Sequence, residues 1–153
     1  EGDDTLNGQA GADTLIGGAG RDQINPGNDA QVDIVRVTAV THSTGPLRDV
    51  VIGMDLGEDR FDLPVIPVAV AATVTTGALN SASFNADLAA AVNAAALPAG
   101  QAVLFDPGAG NLDQPGMVYL VVDANGIAGY QANADYVFQL QTPIGTLDPT
   151  DFV

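Results

Sequence analysis

The chain has no cysteine and no lysine, a single histidine, and no apolar run long enough to span a bilayer. Without cysteine there are no disulfides, no thiolate-bound zinc and no thiol chemistry, and the lack suits a protein exported unfolded. The one histidine, His42, stands in the Ser/Thr-rich turn "THSTGP" with no second histidine to share a metal, and no H-E-x-x-H occurs. No catalytic constellation is visible, so any activity of a longer parent protein is expected upstream of Glu1, which enters in the middle of a repeat. The longest apolar run, "PVIPVAVAATV", is short and broken by proline. Positive charge is nearly absent too: four arginines face nineteen acidic residues, for a net charge of -15. That balance excludes nucleic acid, whose binding needs Lys and Arg against phosphate, and anionic membrane surfaces.

What is abundant is aspartate, seventeen of the nineteen acids, and glycine. Aspartate favours turns and short-reach metal ligation. Twelve of the acids fall within the first 62 residues, so this end should repel itself unless a cation neutralises it. The opening "EGDDTLNGQAGADTLIGGAGRDQIN" follows a nine-residue rhythm. Gly2, Gly11 and Gly20 share one phase, Asp4, Asp13 and Asp22 another, and Leu6, Leu15 and Ile24 a third. Gly17–Asn25 matches G-G-x-G-x-D-x-U-x throughout, and Gly8–Ile16 does so with Gln9 for the second glycine. Glycines allow tight turns with carbonyls pointing inward. The candidate oxygens are therefore the carboxylates of Asp4, Asp13 and Asp22 with the turn residues Gly2, Gly8, Ala10, Gly11, Gly17, Ala19 and Gly20. Calcium takes six to eight such oxygens in a flexible cage, whereas magnesium resists losing its waters. The x-U-x residues form a short strand with one aliphatic side chain inward. Stacked turns then make a two-sided parallel β-roll.

These residues resemble the RTX (repeats-in-toxin) family, whose nonapeptides bind calcium between turns of a β-roll and which bacteria export through type I secretion systems. A fourth copy, "PGNDAQVDIV", departs from the pattern: Pro26 replaces the first glycine, Asp29 stands at the fourth place, and Asp33 and Val35 fit only with an insertion. Asp29 and Asp33 remain candidate ligands, and the roll is expected to end near residue 35. Further on, "DLGEDRFDL" resembles the roll closure of serralysin-type secreted proteases. That likeness implies Asp49, Asp59 and Asp62 as ligands, with Gly53 standing where that family has Asp.

The expected fold class is mainly β: a short parallel roll over residues 1–35, then a β-rich, sandwich-like domain over 36–153 with one α-helix. The helix is "SASFNADLAAAVNAAALPAG", expected near 83–97, capped by Ser81 or Ser83 and stopped by Pro98 and Gly100. Phe84, Leu88 and Val92 line its core face. "DANG" at Asp123–Gly126 reads as a hairpin turn pairing Val118–Val122 with Ala128–Ala132. The later half resembles the C-terminal domain of bacterial RTX surface proteins of the bluetail type, and "TLDPTDFV" resembles type I secretion tails.

Together these imply a calcium-binding C-terminal module of a secreted, extracellular or cell-surface bacterial protein. Its expected partners are calcium ions, the type I secretion apparatus and cell-surface components. Two alternatives stay open: the non-catalytic domain of a secreted protease or lipase, and a self-assembling structural protein.

Overall fold

Each nonapeptide contributes its last three residues to a strand, because a single inward aliphatic flanked by polar residues suits the period-two pleat. A computed structural model, which describes Glu1–Val153, has these strands as β1 (Thr5–Asn7), β2 (Thr14–Leu15) and β3 (Gln23–Asn25). The same alternation continues through β4 (Ile34–Arg36), β5 (Asp49–Ile52) and β6 (Arg60–Asp62). Odd-numbered strands stack in parallel in one sheet and even-numbered strands in the other.

The stack therefore runs on past residue 35. Eleven residues separate Asp22 from Asp33, two more than in a regular copy, yet Leu15 still registers with Val35. Tight 3-10 turns at Val40–His42 and Gly45–Leu47 take up the longer link to β5. The pleat, and not the exact nonapeptide, sets where the chain re-enters the sheet.

Beyond the roll come β7 (Ala69–Val70), helix α1 (Phe84–Ala91), β8 (Gln101–Phe105), β9 (Met117–Val122) and β10 (Tyr136–Gln141). β10 docks in parallel on β5, which extends the first sheet to seven strands in the order β1-β3-β5-β10-β9-β8-β7. The second sheet is closed by the chain's last residues, where Phe152 bridges Phe61. Two inward ranks result: Leu6, Ile24, Val51 and Leu140 on one sheet, and Leu15, Val35, Phe61 and Phe152 on the other.

Two local expectations give way to tertiary contacts. β9 pairs antiparallel with β10, not with residues 128–132. The N–H groups of Gly129 and Tyr130 are instead bonded to the carbonyls of Leu97 and Val92. The helix stops at Ala91, because the Val92 carbonyl is taken by Tyr130 and the Asn93 side chain accepts the Ala95 N–H at 3.0 Å. Its start is held by Asp87, which accepts from the backbone and side chain of Asn80 and from the Ser83 hydroxyl. No serine side chain caps the first turn.

The seven-stranded sheet is buried on both faces. One face covers the roll interior, where Leu15, Ile24, Val35, Val51 and Phe61 pack with Leu120, Val122, Tyr136, Phe138, Leu140 and Phe152. The other packs Val103, Phe105, Tyr119, Val121 and Val137 under Phe84, Leu88, Val92 and Tyr130. Phe61 anchors the junction, with ring centroids 4.9 Å from Phe138 and 6.0 Å from Phe152. Each such side chain contributes about 1.5–3 kcal/mol on burial, so the roll and the C-terminal strands share one stabilising interior.

Candidate metal centre

The sixth-place aspartates lie immediately before the strands, and parallel stacking puts those of alternate turns directly above one another. On one side the Asp4 N–H donates to Asp22 Oδ1 at 2.8 Å, and the Asp22 N–H donates to Asp49 Oδ1 at 3.0 Å. On the other side the Asp13 N–H donates to Asp33 Oδ1 at 2.8 Å, and the Asp33 N–H donates to Asp59 Oδ1 at 3.1 Å. Two aspartate ladders run up the roll, and the insertion before Asp33 leaves the second one unbroken.

Each ladder has its own ending. The Asp49 N–H donates to the Ser43 hydroxyl, whose own proton goes to the Val137 carbonyl. Asp59 Oδ2 accepts from the Asp55 N–H at 3.0 Å. Neither Ser43 nor Asp55 carried a signal in the repeat pattern. A second row runs outside the first: Asp3 Oδ1 accepts the Arg21 N–H, and Asp29 Oδ2 accepts the Gly11 N–H, each across eighteen residues. The fifth-place aspartate Asp3 could have been found from that spacing.

Burial makes the ladders electrostatically costly. Asp22, Asp33, Asp49 and Asp59 are almost wholly enclosed. Burial, with the Asp22 carboxylate close by, pushes Asp49 up to about 7 against the N–H of Asp22 and the hydroxyl of Ser43, which favour its charge. Burial also raises Asp59, helped by the charges of Asp33 and Asp55.

Oxygens are left over at the repeats. Asp13 Oδ2 and Asp22 Oδ2 are buried and accept no hydrogen bond. Each faces a glycine: a Cβ on Gly17 would collide with the Asp22 carboxylate, and one on Gly8 would come within 3.1 Å of Asp13 Oδ2. An unpaired carboxylate oxygen in a glycine-walled recess is a ligand position for a hard cation. No three acidic or histidine side chains converge on one point. The rest of a calcium shell must come from turn carbonyls such as those of Gly2, Ala10, Gly11, Ala19 and Gly20. The Ala19 carbonyl also accepts the Gly2 N–H at 2.7 Å, tying adjacent layers at the turn itself.

Other sequence candidates lie apart from the ladders. Asp62 points outward from β6 and pairs with Arg36 at 2.5 Å. His42 meets the Thr38 hydroxyl at 3.3 Å, remote from any carboxylate pair. No helix is long and apolar enough to cross a membrane.

Comparison with known proteins agrees with this geometry. Residues 1–30 match the RTX calcium-binding nonapeptide repeat, in four copies, and this part of the chain is a calcium-binding repeat module of that type. No curated protein matches the chain.

Proposed function

We propose that this chain is a calcium-folded, non-catalytic module of a type I secreted bacterial protein, acting outside the cell or at its surface. The observation that carries the reading is the pair of ladders whose Asp13 and Asp22 keep a buried oxygen free. Calcium supplies the positive charge that four arginines cannot. Extracellular modules bind it at about 0.1–1 mM, and at ten times the dissociation constant each ion stabilises the fold by about 1.4 kcal/mol. A chain that stays open at low cytosolic calcium and folds on meeting extracellular calcium suits export through a narrow channel. The tail "TLDPTDFV", which resembles type I secretion signals, supports the same route.

The test is export and folding together. Appending the chain to a reporter in cells with a type I apparatus should give calcium-dependent folding outside the cell. Retention of the reporter inside would remove the secretion reading while leaving calcium binding intact.

Self-assembly at the far end is favoured by one further observation. Residues 64–86 carry no charge, and Val65, Ile66 and Val68 beside the edge strand β7 are 38%, 53% and 79% exposed. Light scattering with and without calcium separates the two readings, because a monomer in both conditions excludes assembly.

A further inference from the structure

Outside the roll, two other aspartates are completely buried, Asp123 at the end of β9 and Asp135 just before β10. They bracket the loop that closes over the C-terminal end of α1. Every oxygen of the pair is engaged by backbone. Asp123 Oδ1 accepts from the N–H groups of Asn125 at 3.0 Å and Gly126 at 2.8 Å, and its Oδ2 accepts from that of Gly100 at 2.6 Å. Asp135 Oδ1 accepts from the Ala124 N–H at 3.2 Å and its Oδ2 from the Gln131 N–H at 2.6 Å. The two carboxyl groups also lie within hydrogen-bonding reach of each other. Two carboxylates, both acceptors only, have nothing to share there unless one of them holds a proton.

The surroundings offer no counter-charge in contact. The turn at Pro98–Gly100 and the end of α1 are uncharged. Tyr130, from the loop itself, is the nearest other titratable group, and its phenol is pushed up to about 12 by burial and by Asp135, while Arg48 acts on it in the opposite sense. No ion pair to Asp123 or Asp135 forms, since the two ion pairs of the chain are Arg36–Asp62 and Arg60–Asp151.

We propose that Asp123 and Asp135 share one proton and form a clasp that tightens the helix-side layer in mildly acidic surroundings. The clasp ties three segments together: the turn before β8 through Gly100, the end of β9, and the start of β10, where the Thr44 hydroxyl also donates to the Asp135 carbonyl at 2.9 Å. The loop between them delivers Tyr130 to the core, where its hydroxyl donates to Asn85 at 2.7 Å. With the proton in place the pair carries one negative charge and an internal O–H···O bond. Without it, two buried charges face each other and the loop is the part free to give way. Burial first, and the facing Asp123 second among the raising causes, push Asp135 up to about 6. Because the folded value lies above the ordinary 3.8, the stabilisation is complete below that ordinary value and is lost as pH rises through about 6.

The test is a carboxyl carbon-13 NMR titration of the whole calcium-loaded protein. Asp123 and Asp135 should shift together with one midpoint near 6, and the Gly100 and Tyr130 amide signals should follow the same curve. Asp123→Asn should move the Asp135 midpoint toward the ordinary aspartate range. If that variant does not fold, the coincidence of the carboxyl and amide curves in the unaltered protein still decides. Separate midpoints in the ordinary range would overturn the shared proton. So would a midpoint that moves with calcium concentration, which would mean that a metal ion and not a proton joins the pair.

Discussion

At Asp22 the two carboxylate oxygens have different tasks. Oδ1 fixes the layer beneath by accepting the Asp4 N–H, while Oδ2 has no protein partner. Asp22→Asn keeps the first and turns the second into an amide that repels a cation. It should lower the stability of the calcium-loaded protein by the contribution of one ion, about 1.4 kcal/mol at ten times the dissociation constant, and leave the stability in chelator nearly unchanged. Thermal unfolding in the two conditions reads the difference. Asp13→Asn should remove a different ion, since Asp13 belongs to the other ladder. Gly17→Ala should copy the Asp22 defect with the carboxylate still present, because its Cβ collides with that group. Asp49 adds a pH dependence. Its metal-free value of about 7 lies above the ordinary 3.8, so without calcium the proton it holds stabilises the fold at low pH, and this is lost as pH rises through about 7. Calcium must displace that proton. Its affinity should therefore weaken as pH falls through about 7, with proton release visible as a buffer-dependent heat in calorimetry.

At the scale of elements, what was legible followed from local periodicity and what was not followed from contacts distant in sequence. The nine-residue rhythm places β1, β2 and β3 and the alternate stacking of their aspartates, because glycine turns and inward aliphatics act within a single turn. The fourth copy hid the continuation of the roll. Its extra residues break the count but not the register of Val35 with Leu15 and Phe61. "DANG" does make a turn, with the Asn125 and Gly126 N–H groups on Asp123, yet no local signal says that residues 129 and 130 belong to the helix end. The apolar stripe of α1 was readable and is buried as its spacing requires, with Leu88 wholly enclosed. Leu88→Ala should cost about 2–5 kcal/mol in the helix-side layer, measured by denaturant unfolding, and leave the calcium stoichiometry unchanged.

For the molecule as a whole, charge and core are unevenly spread. The acidic roll supplies few large side chains and most of the charge, whereas the strands from β8 onward supply two apolar faces. The helix-side cluster draws on no residue before Leu79. A chain starting at Asp49 should therefore keep a cooperative transition in chelator, with a lower midpoint than the complete chain in calcium, because Val51 and Phe61 lose their neighbours Ile24 and Val35. Differential scanning calorimetry reads both quantities. Mixed stability of this kind predicts that calcium orders one end of a protein whose other end is already folded.

Residue-resolved amide hydrogen exchange on the complete chain, with calcium and then with chelator, tests that claim most directly. The N–H groups of Asp4, Asp13, Asp22 and Asp33, which make the ladder bonds, should be protected only in calcium, while those of β9 and β10 should stay protected in both. Ladder amides equally protected in chelator would contradict the account, since the stacked aspartates would then hold together without the ion.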